Sequence, residues 1–159
     1  MVDCFINNKT DERLNYYTDV NEIKATGEIL QTLSGLEHLS NVNIKYNNIY
    51  KITGRYLVDK TFNISQYENN ENCFKQNLTD DFAREQKYYY TCFYKITSSY
   101  LETFKNNLRE CFRLYTEDNT KQNDIYEVLL PEIMNFRFKL LPVLNIKQNI
   151  SVWNDTSLI

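Results

Sequence analysis

The sequence predicts a mainly α fold: a helical bundle around one long aromatic amphipathic helix at about residues 80–115. Only three Gly and two Pro occur among 159 residues, too few for the many tight turns of an all-β domain. Apolar residues recur at helical spacing in several segments. Aromatic residues make up 14% of the chain, so rings must fill much of the core. An α+β fold is the alternative.

The long helix is predicted from an apolar stripe between Phe82 and Tyr115. A straight helix of that length would measure about 54 Å at 1.5 Å per residue, so it should bend or break. The small hydroxyl side chains at 97–99 mark the weak point, because they compete for backbone hydrogen bonds. The stripe covers about 100° of a helical wheel and consists of Tyr89, Phe93, Ile96, Tyr100, Phe104, Leu108, Cys111 and Tyr115.

The two segments before the long helix also show periodic apolar patterns. Residues 11–39 have near-helical apolar spacing, with a drift in phase at Gly27 and a candidate end at Gly35. Residues 42–64 alternate apolar and polar side chains around an Asn-Asn pair, which slightly favours a small β-hairpin at about 42–62 over an irregular helix.

A further helix is predicted to start at Asp124, where Asp124 and Glu127 have the spacing of a capping box. Its apolar face runs to Leu140. Pro131 should kink or split this helix, and Pro142 should end it. No linker rich in Pro, Gly or Ser divides the chain, so residues 1–159 are predicted to form a single domain.

Charge and motifs exclude several classes of function. The net charge is −3 and no basic run exceeds two residues, whereas a nucleic-acid-binding protein normally carries a basic stripe. No apolar stretch approaches the roughly 20 residues that span a bilayer. The single histidine, His38, has no nucleophile motif beside it. We therefore expect no enzyme, and no catalytic, cofactor-binding or metal-binding residues.

The four cysteines, Cys4, Cys73, Cys92 and Cys111, indicate disulfides more than reduced core thiols. On one continuous helix, Cys92 and Cys111 would lie about 28 Å apart, beyond the roughly 7 Å that a disulfide allows between Cα atoms. The chain between Cys73 and the helix could reach Cys92 but not Cys111. The predicted pairs are therefore Cys73–Cys92 and Cys4–Cys111.

Five Asn-x-Ser/Thr sequons are candidate N-glycosylation sites. Chance accounts for about half of them, and all five fall in predicted loops or at the ends of predicted elements. Together with an even number of cysteines they favour the secretory pathway, with a leader that is not part of this chain; a cytoplasmic location is the alternative. The sequons begin at Asn8, Asn63, Asn77, Asn149 and Asn154.

The leading hypothesis is a secreted, glycosylated helical protein that binds another protein, as a cytokine-like ligand, a receptor or ligand decoy, or a host-interaction effector. Exposed aromatics are enriched in protein interfaces, and the candidates here are Tyr88, Tyr94 and Phe112. Two alternatives stay open: a carrier of a small apolar ligand in an aromatic-lined pocket, and an intracellular helical adaptor with reduced thiols.

Overall fold

A computed structural model describes residues 11–42, 44–52, 56–58, 62–76, 89–141, 146–150 and 155–158. The chain divides into two compact units, each built from two separate stretches of sequence. The helical unit comprises residues 1–45 and 102–134, and the sheet unit comprises residues 46–101 and 135–159. The prediction of a single domain stays a prediction.

The helical unit begins with α1 (Glu12–Asn15), which a π-helical turn (Tyr16–Val20) continues. The Asp11 side chain caps α1 by accepting a hydrogen bond from the Leu14 N–H at 3.0 Å, which satisfies a donor that a helix start leaves free. Helix α2 (Lys24–Asn41) follows. Its buried positions are Thr26, Gly27, Ile29, Leu33 and Leu36.

Helix α3 (Leu101–Glu117) supplies the deepest part of this unit. Its fully buried residues recur at helical spacing: Phe104, Leu108, Cys111 and Tyr115. Helix α4 (Tyr126–Ile133) follows and contains Pro131. An ion pair joins α3 to α2, Arg109 to Glu37 at 2.9 Å. A second pair, Lys121 to Asp124 at 2.9 Å, lies within the segment that follows α3.

The sheet unit contains a four-stranded mixed sheet of β1 (Asn48–Ile52), β3 (Asn72–Gln76), β4 (Tyr89–Thr97) and β5 (Phe138–Leu141). The order of the strands across this sheet is β1-β4-β3-β5. Strand β4 pairs antiparallel with both β1 and β3, and β3 pairs parallel with β5. A second, three-stranded sheet contains β2 (Tyr56–Val58), β6 (Ile146–Ile150) and β7 (Asp155–Leu158).

The mainly α prediction is wrong, and the protein has an α+β fold. In the described part of the predicted helix at 80–115, residues 89–97 form strand β4, residues 98–100 form a 3-10 turn, and residues 101–115 belong to α3, which continues to Glu117. The region 97–99 is therefore the junction of a strand with a helix, where a bend within one helix was expected. Residues 77–88 lie outside the described part of the chain.

Strand β4 lacks the sequence pattern of a half-buried strand because it is a central strand that is buried on both faces. Phe93, Tyr94, Lys95 and Ile96 are consecutive, and each is at most 1% exposed. Such a strand lacks the alternation of apolar and polar residues that marks a half-buried strand. The informative feature was composition, since Tyr89–Thr97 is rich in the aromatic and β-branched residues that strands prefer.

Three smaller expectations also change. The prediction of a hairpin at 42–62 is wrong, because β1 and β2 do not pair with each other. Strand β1 pairs with β4, and β2 pairs with β6 in a different sheet. Gly35 does not end a helix, since α2 continues to Asn41. The helix predicted from Asp124 starts at Tyr126 without a side-chain cap and stops at Ile133, after which the chain forms β5.

Candidate ligand-binding crevice

A buried lysine organises one face of the four-stranded sheet. Lys95 lies in the middle of β4 and is 0% exposed. Its ammonium donates hydrogen bonds to the carbonyl oxygen of Tyr67, and to both the carbonyl oxygen and the side-chain Oδ1 of Asn69, the last two at 2.7 Å. These three acceptors match the three donors of an ammonium group. Lys95 thus ties the segment containing Tyr67 and Asn69 to the sheet.

That segment, residues 62–71, is held in a defined conformation from several directions. A 3-10 turn (Ile64–Tyr67) begins it. The Tyr50 hydroxyl donates to the Tyr67 carbonyl oxygen at 3.2 Å. The Asn69 Oδ1 that receives Lys95 also accepts the Glu71 N–H at 3.1 Å, and the Asn69 amide donates to the Glu71 carboxylate at 3.4 Å. The buried ammonium therefore orients Asn69, which in turn orients Glu71.

Beneath this segment lies an apolar cluster of Cys73, Phe93 and Leu141, with partly buried rings packed against it. Phe62 stacks on Tyr67 with ring centroids 5.6 Å apart and meets Phe93 edge-on at 5.8 Å. Offset and edge-on ring contacts of this kind add to the burial of apolar area. The cluster gives the crevice above it a rigid floor.

The crevice has a volume of about 320 Å³ and opens beside β3 and β5. This volume is at the low end of the roughly 300–1,000 Å³ typical of small-molecule sites. The crevice combines apolar and charged groups and is lined by Tyr67, Asn69, Glu71, Cys73, Lys139, Leu140 and Leu141.

Two charges of opposite sign stand at the opening. The Lys139 ammonium and the Glu71 carboxylate are 4.0 Å apart, and their side chains are 63% and 59% exposed. An exposed pair at this distance contributes little, about 0–1 kcal/mol. Both groups can therefore form new ion pairs with a ligand at small cost.

The crevice does not carry an activated nucleophile. Burial, the largest effect, raises the pKa of the Cys73 thiol to about 11, although Lys95 and the Lys95 backbone N–H act in the opposite direction. Only the thiolate is a good nucleophile, so Cys73 is inert near neutral pH. Burial also disfavours the charged form of Lys95 and so lowers its pKa. Its three N–H donors are nevertheless all engaged with protein oxygens, so Lys95 is not available as a nucleophile. The geometry suits binding and orientation of a ligand.

The predicted cysteine pairs remain untested, but their derivation changes. Cys73 and Cys111 are buried free thiols. Cys4 and the side chain of Cys92 lie outside the described part of the structure. Cys92 belongs to β4 and Cys111 to α3, so the two cysteines do not lie on one continuous helix. The assignment of Cys73–Cys92 and Cys4–Cys111 therefore no longer has a geometric basis.

One predicted glycosylation site can be placed in full. Asn63 is exposed, and its Oδ1 accepts the Ser65 N–H at 3.0 Å at the start of the 3-10 turn. Asn149 lies within β6, opposite Thr156, and not in a loop as expected. Asn8, Asn77 and Asn154 lie outside the described residues.

The predicted interface aromatics turn out to be core residues where they can be seen. Tyr94 is 1% exposed and its ring packs on Phe74 at 5.2 Å. Phe112 is 8% exposed and packs edge-on against Tyr17 at 4.9 Å. Neither offers the exposed ring that an interface needs, because each serves the packing of its own unit. Tyr88 lies outside the described residues.

No helix in the described part of the chain is long and apolar enough to span a membrane. Among the same residues, no group of three or more His, Cys, Asp and Glu side chains is placed to hold a metal ion. Comparison of the chain with protein-family models, with curated proteins and with solved structures gives no match.

Sequence reasoning missed the crevice because its residues come from distant segments. Tyr67, Asn69, Glu71 and Cys73 precede β4, whereas Lys139 follows α4. Only the parallel pairing of β3 with β5, in which Cys73 lies opposite Lys139, brings them together. A lysine in the middle of an aromatic and β-branched run, as in Phe93–Ile96, was the one local sign of an unusual buried charge.

Proposed function

We propose that the protein is a non-catalytic binding protein that holds a small, partly apolar ligand in the crevice of the sheet unit. The observation that carries this proposal is the set of groups around the 320 Å³ space: an apolar floor and a charged opening, with one wall fixed by the buried Lys95. Rigid supporting groups favour binding because less ordering is required when the ligand arrives. This proposal develops the small-ligand alternative from the sequence.

Amide NMR of the labelled protein during titration with a library of small fragments tests the proposal. We expect shifts concentrated at Tyr67, Cys73 and Leu141. Replacement of Lys139 by Trp should cover the crevice opening, where this side chain is 63% exposed, and abolish these shifts. Lys45→Trp, at an exposed position outside the crevice, is the matched control and should leave them unchanged. Shifts that survive Lys139→Trp in a folded protein would contradict the proposal.

A protein partner is the second candidate, supported by exposed apolar side chains in the helical unit. Tyr16 and Val20 lie one turn apart on the π-helical segment and are 50% and 68% exposed. Segments of π-helix occur frequently at functional sites. The double variant Tyr16→Ser/Val20→Ser should reduce binding of the labelled protein to receptor-bearing cells at least tenfold without lowering the thermal midpoint. Unchanged cell binding would count against this surface.

We also propose secretion with glycosylation, supported by the five sequons and by the exposure of Asn63. Expression behind a secretion leader should give a product whose mass falls after glycosidase treatment. Asn63→Gln should remove one glycan. A thiol count under denaturing conditions supplies the second check: four free thiols in the secreted protein would contradict the disulfide-bonded form.

A further inference from the structure

The charges at the crevice opening are arranged for a ligand that carries both signs. Glu71 and Lys139 present a carboxylate and an ammonium 4.0 Å apart, on adjacent segments of the same opening. The ammonium and carboxylate of an α-amino acid are likewise close together, since both are bonded to one carbon atom. A ligand ammonium beside Glu71 and a ligand carboxylate beside Lys139 would complete a square of alternating charges, in which each charge has two opposite neighbours.

The space next to these charges is apolar. Leu141 and the un-ionised Cys73 line it together with Tyr67. A side chain attached to the zwitterion would enter this space and leave water, which is favourable in proportion to its apolar area. At about 320 Å³, the crevice suits one small molecule and is too small for a lipid with long acyl chains.

We propose that the crevice binds a small zwitterion, an α-amino acid with an apolar side chain, with Glu71 pairing its ammonium and Lys139 pairing its carboxylate. The inference rests on the proposed small-ligand function and specifies the chemical class of that ligand. The dissociation constant should be on the order of 1 mM, the value that corresponds to about −4 kcal/mol, because the two ion pairs are exposed and screened by water.

The buried Lys95 makes a simple carboxylate the main competitor. Lys139 and Glu71 line the crevice, and the Lys95 ammonium is hydrogen-bonded to Asn69 in its wall. These three groups together carry a formal charge of +1. A carboxylate with no ammonium would still meet Lys139, but it would leave Glu71 facing the negative charge of the ligand. The zwitterion removes that repulsion, so the two classes can be separated by removing one charged group at a time.

Three probes with the same ring and a similar chain make this comparison: L-phenylalanine, 3-phenylpropionate without the ammonium, and 2-phenylethylamine without the carboxylate. Isothermal titration calorimetry and amide NMR should show phenylalanine binding at least fivefold more tightly than either analogue. Equal binding of 3-phenylpropionate and phenylalanine would overturn the zwitterion inference and leave the small-ligand function standing. If none of the fragments or probes causes shifts at the crevice, both the zwitterion inference and the small-ligand function are overturned.

Variants assign the two charges separately. Glu71→Gln should weaken the binding of phenylalanine and bring its affinity within about twofold of that of 3-phenylpropionate. Lys139→Gln should bring phenylalanine within about twofold of 2-phenylethylamine. Lys121→Gln removes one member of another ion pair and is the control, which should preserve the full discrimination. Discrimination that is unchanged in folded Glu71→Gln and Lys139→Gln proteins would overturn the assignment.

Discussion

Single residues decide how the crevice is built, and Lys95 is the clearest case. Lysines are rarely buried without a partner, and here the partners are oxygens of Tyr67 and Asn69. A sequence contains no signal for such an arrangement, because the acceptors are mostly backbone carbonyl groups more than 25 residues away. The identity of Lys95 was visible in the sequence, whereas its role depended on the fold.

Replacing Lys95 by Met keeps the length of the side chain and removes all three donors. We expect the free energy of unfolding to fall by about 2–4 kcal/mol, because three hydrogen bonds from a charged donor to Tyr67 and Asn69 are lost. Urea denaturation provides the measurement. Lys45→Met, at an exposed position, is the control with an expected change near zero. Equal denaturation midpoints for the two variants would be inconsistent with this role of Lys95.

A second prediction concerns the contribution of Tyr115 to stability, which depends on pH. Its hydroxyl donates to the Asp124 carbonyl oxygen at 2.8 Å. Burial, followed by the charges of Cys111, Glu127 and Asp124, raises the pKa of Tyr115 well above its ordinary value of 10.0. Because the folded state holds this proton more tightly than the unfolded state, the stabilisation is complete below pH 10 and declines as the pH rises further.

The variant Tyr115→Phe should therefore lower the free energy of unfolding by about 1 kcal/mol at pH 7.5, the usual net value of one hydrogen bond. At pH 11 the wild-type protein should lose about 1.4 kcal/mol relative to this variant, which corresponds to one pH unit above the unfolded pKa. Urea denaturation of both proteins at the two pH values gives the comparison. A difference between them that does not vary with pH would argue against a raised pKa.

Secondary-structure elements show which parts of the fold the sequence could predict. Helix α3 was predictable because Phe104, Leu108, Cys111 and Tyr115 all lie on one buried stripe. The apolar residues of β4 continue the spacing of α3 by coincidence. Because β4 is buried on both faces, it lacks the alternation of apolar and polar residues that marks a strand. The helical spacing therefore predicts a single helix across both elements. Burial on both faces is a tertiary property, so local pattern alone could not separate them.

Helix α2 provides a prediction with its own control. A Cβ atom on Gly27 would lie 2.7 Å from the Tyr17 carbonyl oxygen, whereas one on Gly35 would meet nothing within 4 Å. Gly27→Ala should lower the free energy of unfolding by about 1–3 kcal/mol, since the backbone of the π-helical segment must shift. Gly35→Ala should raise it by about 0.5–1 kcal/mol through helix propensity.

Thermal and urea denaturation of both alanine variants measure these effects. Opposite signs at two glycines of one helix are the expected outcome. Two stabilising substitutions would mean that the approach of Tyr17 to Gly27 can relax freely.

At the scale of the whole molecule, the units are discontinuous in sequence. The sheet unit combines residues 46–101 with residues 135–159, and the helical unit combines residues 1–45 with residues 102–134. Composition and the lack of linkers gave no sign of this division, because no boundary between units coincides with a change in residue type. The pairing of β3 with β5, more than 60 residues apart, could not be read from local pattern.

A fragment of residues 46–101 should therefore fail to fold alone, because it lacks β5, which pairs with β3 along one side of that strand. We expect a poorly dispersed amide NMR spectrum and no cooperative unfolding transition. Addition of a peptide of residues 135–159 should restore dispersion. A well-dispersed spectrum for residues 46–101 alone would contradict this dependence on β5.

The discontinuity of the units also bears on biosynthesis. As the chain leaves the ribosome, residues 1–45 emerge first but must wait for residues 102–134 before their unit is complete. Residues 46–101 wait still longer, until β5 has emerged. Strand β3 thus keeps one edge unpaired until β5 has emerged, and exposed strands of this kind are prone to aggregate. We therefore expect the sheet unit of the nascent chain to fold only after β5 has emerged and to depend on a chaperone until then.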